Sequence, residues 1–379
     1  LVYLVTPLQA IFLANLPLLA AVYLLFPVSR RHRPAVLLMM ALVVVILTGG
    51  VFREKASLAP AAGKLAYYRE TRYGRIAVHQ DREQFTLFED GIPAFSSQSL
   101  SIAEETVHYP LSQLDRIEHV LLISAQGGVM AELQKYQLES IDYVELDPEV
   151  SAVQFRFGLI KAVPGLKVIH QDGRAYLAQT DKTYNAIIVN LPEPGTFQMN
   201  RFYTDRFFEL AQKRLSKEGV LSFSMQGFDN YLAEPHRQKL SSLYNTIQMY
   251  FKHILMLPGQ KVFFLCRNRP LITDIPAALA HKGISSTYIN GFYYGNLTPE
   301  RIDRLNARMD PTTPINVDTS PYFMRLMFSQ WFAKFQTSPI GFFLVLSVLS
   351  AIYFFRITRE EFVLFSTGCM TMGSEILVI

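Results

Sequence analysis

Val120-Leu-Leu-Ile-Ser124-Ala125-Gln126-Gly127-Gly128-Val129, followed by Val144-Glu145-Leu146-Asp147, decides the fold. The first run reads as a buried strand, a glycine turn and the start of a helix. The second reads as a strand that ends in acid. Together they form the front half of a nucleotide-binding βαβ unit, in which the helix start faces the ligand and the acid holds a ribose hydroxyl. Gly127 and Glu145 lie 18 residues apart, close to the spacing of roughly 20 that such units carry. Ser124, Ala125 and Gln126 occupy turn positions where side chains crowd a ligand, so the fold signal is clearer than the site signal.

Working outward, unbroken apolar strands alternate with helical stretches. The pattern predicts strands at 119–123, 140–145, 167–170, 185–190 and 219–224. It predicts helices at 128–136, 148–157, from Asp172-Gly173 onward, and at 204–215. Apolar strands without alternation, separated by helices, indicate a parallel sheet covered on both faces. Upstream, Arg75-Ile-Ala-Val-His and Gln84-Phe-Thr-Leu-Phe flank a Glu89-Asp90-Gly91 turn and predict a small β subdomain.

The ends of the chain are of another kind. The 379 residues are 50% hydrophobic, too apolar for a purely soluble enzyme. Near-uncharged runs cover residues 1–26, 35–52, 340–355 and 362–379, and each has about the length a bilayer requires. The last stops mid-pattern and the chain begins without methionine, so a fragment of something longer is expected. A cleaved signal peptide is the rival reading of the first run, disfavoured because another span follows directly. The resulting organisation is two transmembrane helices in 1–55, a β subdomain in 63–113, a nucleotide-binding-type domain in 114–335, and two further spans in 338–379. The loop Pro27-Val-Ser-Arg30-Arg31-His32-Arg33-Pro34, and Arg356 with Arg359, are basic short loops that stay cytoplasmic. That bias puts the central domain on the far side of a bacterial inner membrane. Glu375, inside the last span, is expected to pair or to function, since a lipid-facing carboxylate is costly.

A net charge of +4 and the lack of a Lys/Arg tract exclude a nucleic-acid partner. Cys266 and Cys369 offer neither a disulfide framework nor metal spacing, so no metal site is expected.

The order of the segments resembles the spermidine synthase (polyamine aminopropyltransferase) family in its membrane-embedded bacterial form. Tyr73-Gly-Arg-Ile and Leu87-Phe-Glu-Asp90-Gly91 resemble its first strands. Residues 103–110 resemble its Asp-Glu-x-x-Tyr-His-Glu segment, with Glu104 and His108 matching. Val120–Val129, Val144–Asp147 and Gln171-Asp172-Gly173-Arg174 are similar to its glycine turn, its ribose-binding strand end and its adenine-contacting segment. Val189-Asn190-Leu-Pro-Glu193-Pro194 sits where the family has Asp-x-x-Asp-Pro, and Ile315-Asn316-Val-Asp318 resembles its C-terminal element. The resemblance implies a Rossmann-like, class I methyltransferase-type α/β fold. It implies nucleotide contacts from Gly127, Gly128, Glu145, Asp172 and Gly173, and substrate contacts from Glu104 and His108. Each has a plainer reading. Glu145 with Asp147 is a strand-end acid that caps a helix, Asp172 is an N-cap, and His108 is a satisfied buried histidine.

The departures shaped the functional expectation. An amine must lose a proton before it displaces a sulfonium, so the family places a carboxylate base at the end of the fourth strand. Asn190 stands there, and an amide accepts no proton usefully. Glu193 is the carboxylate that could substitute. Gly127 replaces a donor-binding aspartate, and Ala103 replaces an acid beside Glu104. These losses predict a catalytically inactive structural or assembly subunit of a membrane protein complex, with no cofactor. The alternative is an active aminopropyltransferase that uses decarboxylated S-adenosylmethionine as co-substrate.

Overall fold

A computed structural model describes residues 7–25, 32–57, 63–97, 100–125, 127–228 and 231–378. It divides into two compact units, residues 1–320 and 321–379.

In the first unit β1 (Lys64–Glu70), β2 (Arg75–Asp81), β3 (Gln84–Glu89) and β4 (Ile92–Ser96) form an antiparallel meander. Glu89 pairs with Ile92 across a two-residue loop, where Asp90 (φ 50°) and Gly91 (φ 81°) both take left-handed backbone. Asp-Gly is the dipeptide that tolerates this in a tight hairpin. Ile76, Val78 and Leu87 on one face of the meander pack against Val150, Val153 and Leu159. The helix Pro148–Arg156 therefore belongs to two cores at once.

The large sheet contains β5 (His119–Ile123), β6 (Ser140–Glu145), β7 (Leu166–His170), β8 (Tyr184–Val189), β9 (Leu215–Gln226), β10 (His253–Leu257) and β11 (Lys261–Arg267). Its order is β10-β11-β9-β8-β5-β6-β7. The run β9-β8-β5-β6-β7 is parallel, and β10 and β11 join antiparallel at one edge. Val120, Leu122, Ile141, Tyr143, Ala186 and Ile188 fill the centre of the core. The Rossmann-like, doubly wound sheet expected from the strand pattern is present.

Several details differ. The small β unit ends at Ser96, while the helix Leu100–Ser112, expected with it, packs Val107 and Leu111 into the core of the large sheet. The helix after the glycine turn runs only from Val129 to Leu133. Lys135 N and Tyr136 N then bond back three residues, to Glu132 O and Leu133 O, a tighter turn that brings the Tyr136 hydroxyl to His108 at 2.8 Å.

Among the described residues, two helices are long and apolar enough to cross a bilayer, within Arg33–Glu54 and Pro339–Arg356. The helix Pro7–Leu25 contains Pro17 and its apolar stretch is shorter. The apolar part of Arg359–Val378 is also shorter, and the side chain of Glu375 lies outside the described residues. Four spans were expected and two meet the length.

Gly173 sets the fit of its helix on the sheet. A Cβ there would sit 2.6 Å from Ile123 Cγ2. Gly173→Ala should therefore lower unfolding stability by about 1–3 kcal/mol, the usual cost of overpacking a core. Thermal unfolding of the full chain in detergent, followed by near-ultraviolet circular dichroism, reads this directly; an unchanged midpoint would show that the helix can step away at no cost.

Candidate functional site

Open α/β sheets bind ligands at the carboxyl ends of their strands, where the strand order reverses. Here that point lies between β5 and β8. Asn190 N donates to Ile123 O at 2.9 Å, and beyond this rung the two chains separate. Ser124 turns away in left-handed backbone (φ 59°), a conformation that costs a non-glycine residue about 1 kcal/mol or more. Its hydroxyl donates to Glu145 Oε2 at 3.0 Å. Gln126 lies outside the described residues.

Glu145 ends β6 inside the cleft. Besides Ser124, Tyr143 OH donates to it at 3.1 Å and Leu146 N at 2.9 Å. Lost hydration raises its pKa against these donors. Asp147 Oδ1 caps the next helix through Glu149 N at 2.9 Å, and Oδ2 accepts from Thr71 Oγ1 of the small sheet at 2.6 Å. Glu89, at the end of β3, keeps a solvent-exposed surface, but its carboxyl is crowded enough to be pushed up to about 7. Desolvation is the main cause, followed by Glu145, Asp147 and Asp90.

The glycine turn is tight for a reason the sequence did not disclose. Gly128 has φ 88°, and a Cβ on it would lie 3.0 Å from Ala103 Cβ. Ala103 is itself buried. Position 128 therefore has little room for a side chain against Ala103. Gly127 is buried beside it.

Other residues expected at the site have structural partners. Glu104 is fully buried, and its carboxylate accepts from Thr287 N, Tyr288 N and Ile289 N at 2.7–3.0 Å. It tethers the start of the helix Tyr288–Asn296. His108 holds Tyr136 OH and Glu132 Oε2 (2.7 Å) through its two ring nitrogens. Burial pushes Glu132 up, and His108 and Lys135 outweigh it and hold the carboxyl below its usual range. The substrate roles expected for Glu104 and His108 thus give way to buried bracing. Asp172 Oδ1 caps its helix through Ala175 N at 2.9 Å, and Oδ2 pairs with Arg201 at 2.7 Å. Asp318 clamps the same region, bonding Arg174 Nη1 at 3.0 Å and Thr204 Oγ1 at 2.7 Å.

On the other side of the switch point, buried polar atoms lack partners. Asn190 is 5% exposed, and its Nδ2 has no acceptor. Glu193 Oε2 lies 3.4 Å from Lys239 Nζ, while Oε1 is buried and unpartnered. His236 Nε2 is in the same condition. Burial lowers the His236 pKa, with Glu193 opposing and Lys239 reinforcing the shift, so the ring is neutral near pH 7. Unsatisfied buried groups cost about 1–3 kcal/mol each, and a cluster of them marks a place where something else binds. His236 and Lys239 were missed in the sequence. Both lie on the helix Glu234–Ile247, three residues apart and so on one face. Beside them, Lys261 pairs in register with Gln226 and faces Glu105, whose buried carboxyl is pushed up to about 7 by desolvation despite Tyr109 and Lys261.

A family model described as the spermine/spermidine synthase domain matches residues 100–273. A polyamine aminopropyltransferase of Oceanobacillus iheyensis is 29% identical over 224 residues, 55% of this chain and 44% of that protein. The chain thus spans less than half the length of that curated relative. A polyamine aminopropyltransferase of Prochlorococcus marinus subsp. pastoris is 31% identical over 192 residues, covering 47% of this chain and 67% of the relative. A crystal structure of spermidine synthase in complex with the transition state analogue AdoDATO has the same fold, with a TM-score of 0.55 at 16% identity, covering 65% of this chain and 90% of that one. These likenesses overturn the expectation of an inactive structural subunit and favour its transferase alternative. The losses at Asn190, Gly127 and Ala103 had carried too much weight, and Glu193 and His236 stand beside Asn190 with unpartnered atoms.

Glu105 gives a test of the electrostatics. A carboxyl whose folded pKa is raised binds protons that the unfolded chain has already released, so its contribution to stability falls as pH rises from about 4.5 to about 7. Wild type should therefore lose more stability than Glu105→Gln between pH 5 and pH 8. Urea midpoints of the two proteins, compared at each pH, should lie closest at low pH, where the neutral amide stands in for the protonated acid, and should diverge toward high pH. Parallel curves would show that Glu105 titrates normally.

Proposed function

We propose that this chain, which belongs to the spermidine synthase (polyamine aminopropyltransferase) family, transfers an aminopropyl group from a decarboxylated S-adenosylmethionine-type donor to an amine. The observation that carries this reading is the set of unpartnered buried atoms on Asn190, Glu193 and His236 beside the end of β8. A purely structural domain would be expected to fill or pair them.

Glu145, at the end of β6, is the group to hold the donor's ribose, with Oε2 oriented by Ser124 and Tyr143 and Oε1 by Leu146 N. Gly127 and Gly128 let the turn backbone come close to the donor, and Asp172 and Gly173 border the far side. The acceptor amine arrives protonated. Glu193 Oε1 accepts that proton, and Lys239 Nζ lies 3.4 Å from the other carboxylate oxygen. The amine lone pair then attacks the methylene carbon next to sulfur. The C–N bond forms as the C–S bond breaks, and the electron pair returns to sulfur as a neutral thioether. Neutral His236 lies near enough to feel the Glu193 charge and can carry the proton onward.

Full-length protein in detergent, given the decarboxylated sulfonium donor and a panel of amines, should release 5′-methylthioadenosine. Glu193→Gln should reduce kcat by about 10²–10⁴-fold, the usual worth of a general base. Release of no thioether with any amine would sink the transferase reading, and an unimpaired Glu193→Gln would move the base elsewhere.

The same reading attaches the protein to a lipid bilayer through residues 33–54 and 339–356, consistent with two helices of sufficient length and apolarity. It also sets a demand on topology. The donor is made in the cytosol, so a working transferase keeps its sheet domain there, against the outward placement that the arginine-rich loop predicts. Asp181 has a fully exposed side chain, whereas Cys266 is buried. With Cys369→Ser removing the exposed native thiol, Asp181→Cys should resist an impermeant maleimide in intact cells and react after lysis. Labelling of intact cells would separate the domain from its donor.

A further inference from the structure

The helix Tyr322–Lys334 does not run on into the apolar helix Pro339–Arg356. Gln336 takes left-handed backbone (φ 50°), and the turn closes with Gln336 N donating to Ala333 O and Thr337 N to Phe332 O, both at 3.1 Å. Phe332 then meets Phe342 and Phe343 of the next helix, with ring centroids 5.8 and 6.4 Å apart. The ten residues from Phe332 to Phe342 would span about 15 Å as unbroken helix, so the chain turns a corner that these rings fasten. Phe328, Trp331 and Phe335 stand three and four residues apart on one face of the first helix, and each is about half exposed. Single exposed apolar side chains are ordinary, whereas adjoining ones mark an interaction surface. Trp331 and Phe335 adjoin, ring to ring at 5.0 Å. Arg325 is exposed on the same helix, and Lys334 Nζ stands 5.9 Å from the Phe335 ring centroid. Such charges are costly in hydrocarbon and at home among headgroups. Residues 335–355 carry no charge, so the aromatic face leads directly into the uncharged run.

Resting on the bilayer attachment proposed above, we infer that the helix Tyr322–Lys334 lies in the lipid–water boundary, with Phe328, Trp331 and Phe335 set into the acyl-chain side and Arg325 and Lys334 among the headgroups. An indole suits that depth, offering an apolar ring to the chains and an N–H to water or phosphate. The 18 residues of Pro339–Arg356 rise about 27 Å, slightly less than a hydrocarbon core of roughly 30 Å. The corner at Gln336 therefore stays at the edge of that core, and the aromatic face beside it meets lipid. The partner of this surface is the bilayer that the next helix crosses, and the corner fixes how deep that helix sits.

Trp331 is the only tryptophan of the chain, so its fluorescence reads this face without a label. The full chain is reconstituted in phosphatidylcholine vesicles whose lipids carry bromine either near the headgroup end of the acyl chains or near the bilayer centre. Shallow bromine should cut Trp331 emission to about half or less, deep bromine should quench about twofold less, and iodide in the water should have little effect. Strongest quenching by deep bromine would place the helix inside the hydrocarbon and overturn the inference. Quenching by iodide alone would put the face in water, and shielding from both bromine and iodide would mean that protein, such as a second copy, covers it; either result overturns the inference as well. All three outcomes leave the bilayer reading intact when the chain floats with the vesicles. A chain left behind in the flotation gradient would sink that reading first, and this inference with it.

Discussion

The hydrogen bond from Asn190 N to Ile123 O is the last rung between β5 and β8, and the cleft depends on where it stops. Because the strand order reverses there, neither chain finds a new backbone neighbour after it. Ser124 is forced into left-handed backbone and delivers its hydroxyl to Glu145. Asn190 carries its amide forward with nothing to receive it. The Glu145 side and the Asn190 side of the cleft are thus the two sides of one interrupted ladder. Their separation is fixed by sheet geometry and not by loop choice.

Around that interruption, buried charge is handled in two ways. Away from the cleft two buried acids have several partners each. Asp142, on β6, takes Lys182, Tyr176 and Tyr184 at 2.7–3.1 Å, and Glu104 takes three backbone amides. Leaving such a group alone in low dielectric would cost several kcal/mol, so these networks are the ordinary cost of keeping acids inside. Within the cleft the rule relaxes, and Glu193, His236 and Asn190 each keep one atom unused. Asp205 Oδ1, Ser216 Oγ, Ser242 Oγ and Arg267 Nε are also unpartnered, so what sets Asn190, Glu193 and His236 apart is that they are grouped.

The fold was largely legible because its signals are local. Val120–Ile123 and Ile141–Val144 are apolar on both faces, Asp90-Gly91 suits a two-residue hairpin, and Asp147 and Asp172 precede helices as caps. The site was less so. Glu104 is bonded to residues more than 180 positions away, which no spacing rule can anticipate, and it looked like a substrate contact for that reason. Lys239 reaches Glu193 from a helix 46 residues on. The tight space between Ala103 and Gly128 exists only after the turn has folded. Residues read singly suggested erosion. In the assembled cleft Asn190 is flanked by Glu193 and His236, each with a buried atom that has no partner.

The helix Pro148–Arg156 faces both sheets, giving Val150 and Val153 to the core of the small meander. The meander consists of adjacent hairpins, whose strands can find one another early because little chain separates them. The apolar face of the four-stranded sheet contributes its full share of stability once it is covered. Its cover is the helix that begins at Asp147, directly after the β6 strand that ends at Glu145. The small sheet can therefore become durable only after the nucleotide-binding half of the large sheet has formed. An opening of the helix by heat or denaturant would release both elements as one cooperative unit, and would dismantle the donor end of the cleft while the antiparallel edge, β10 and β11, stayed in place.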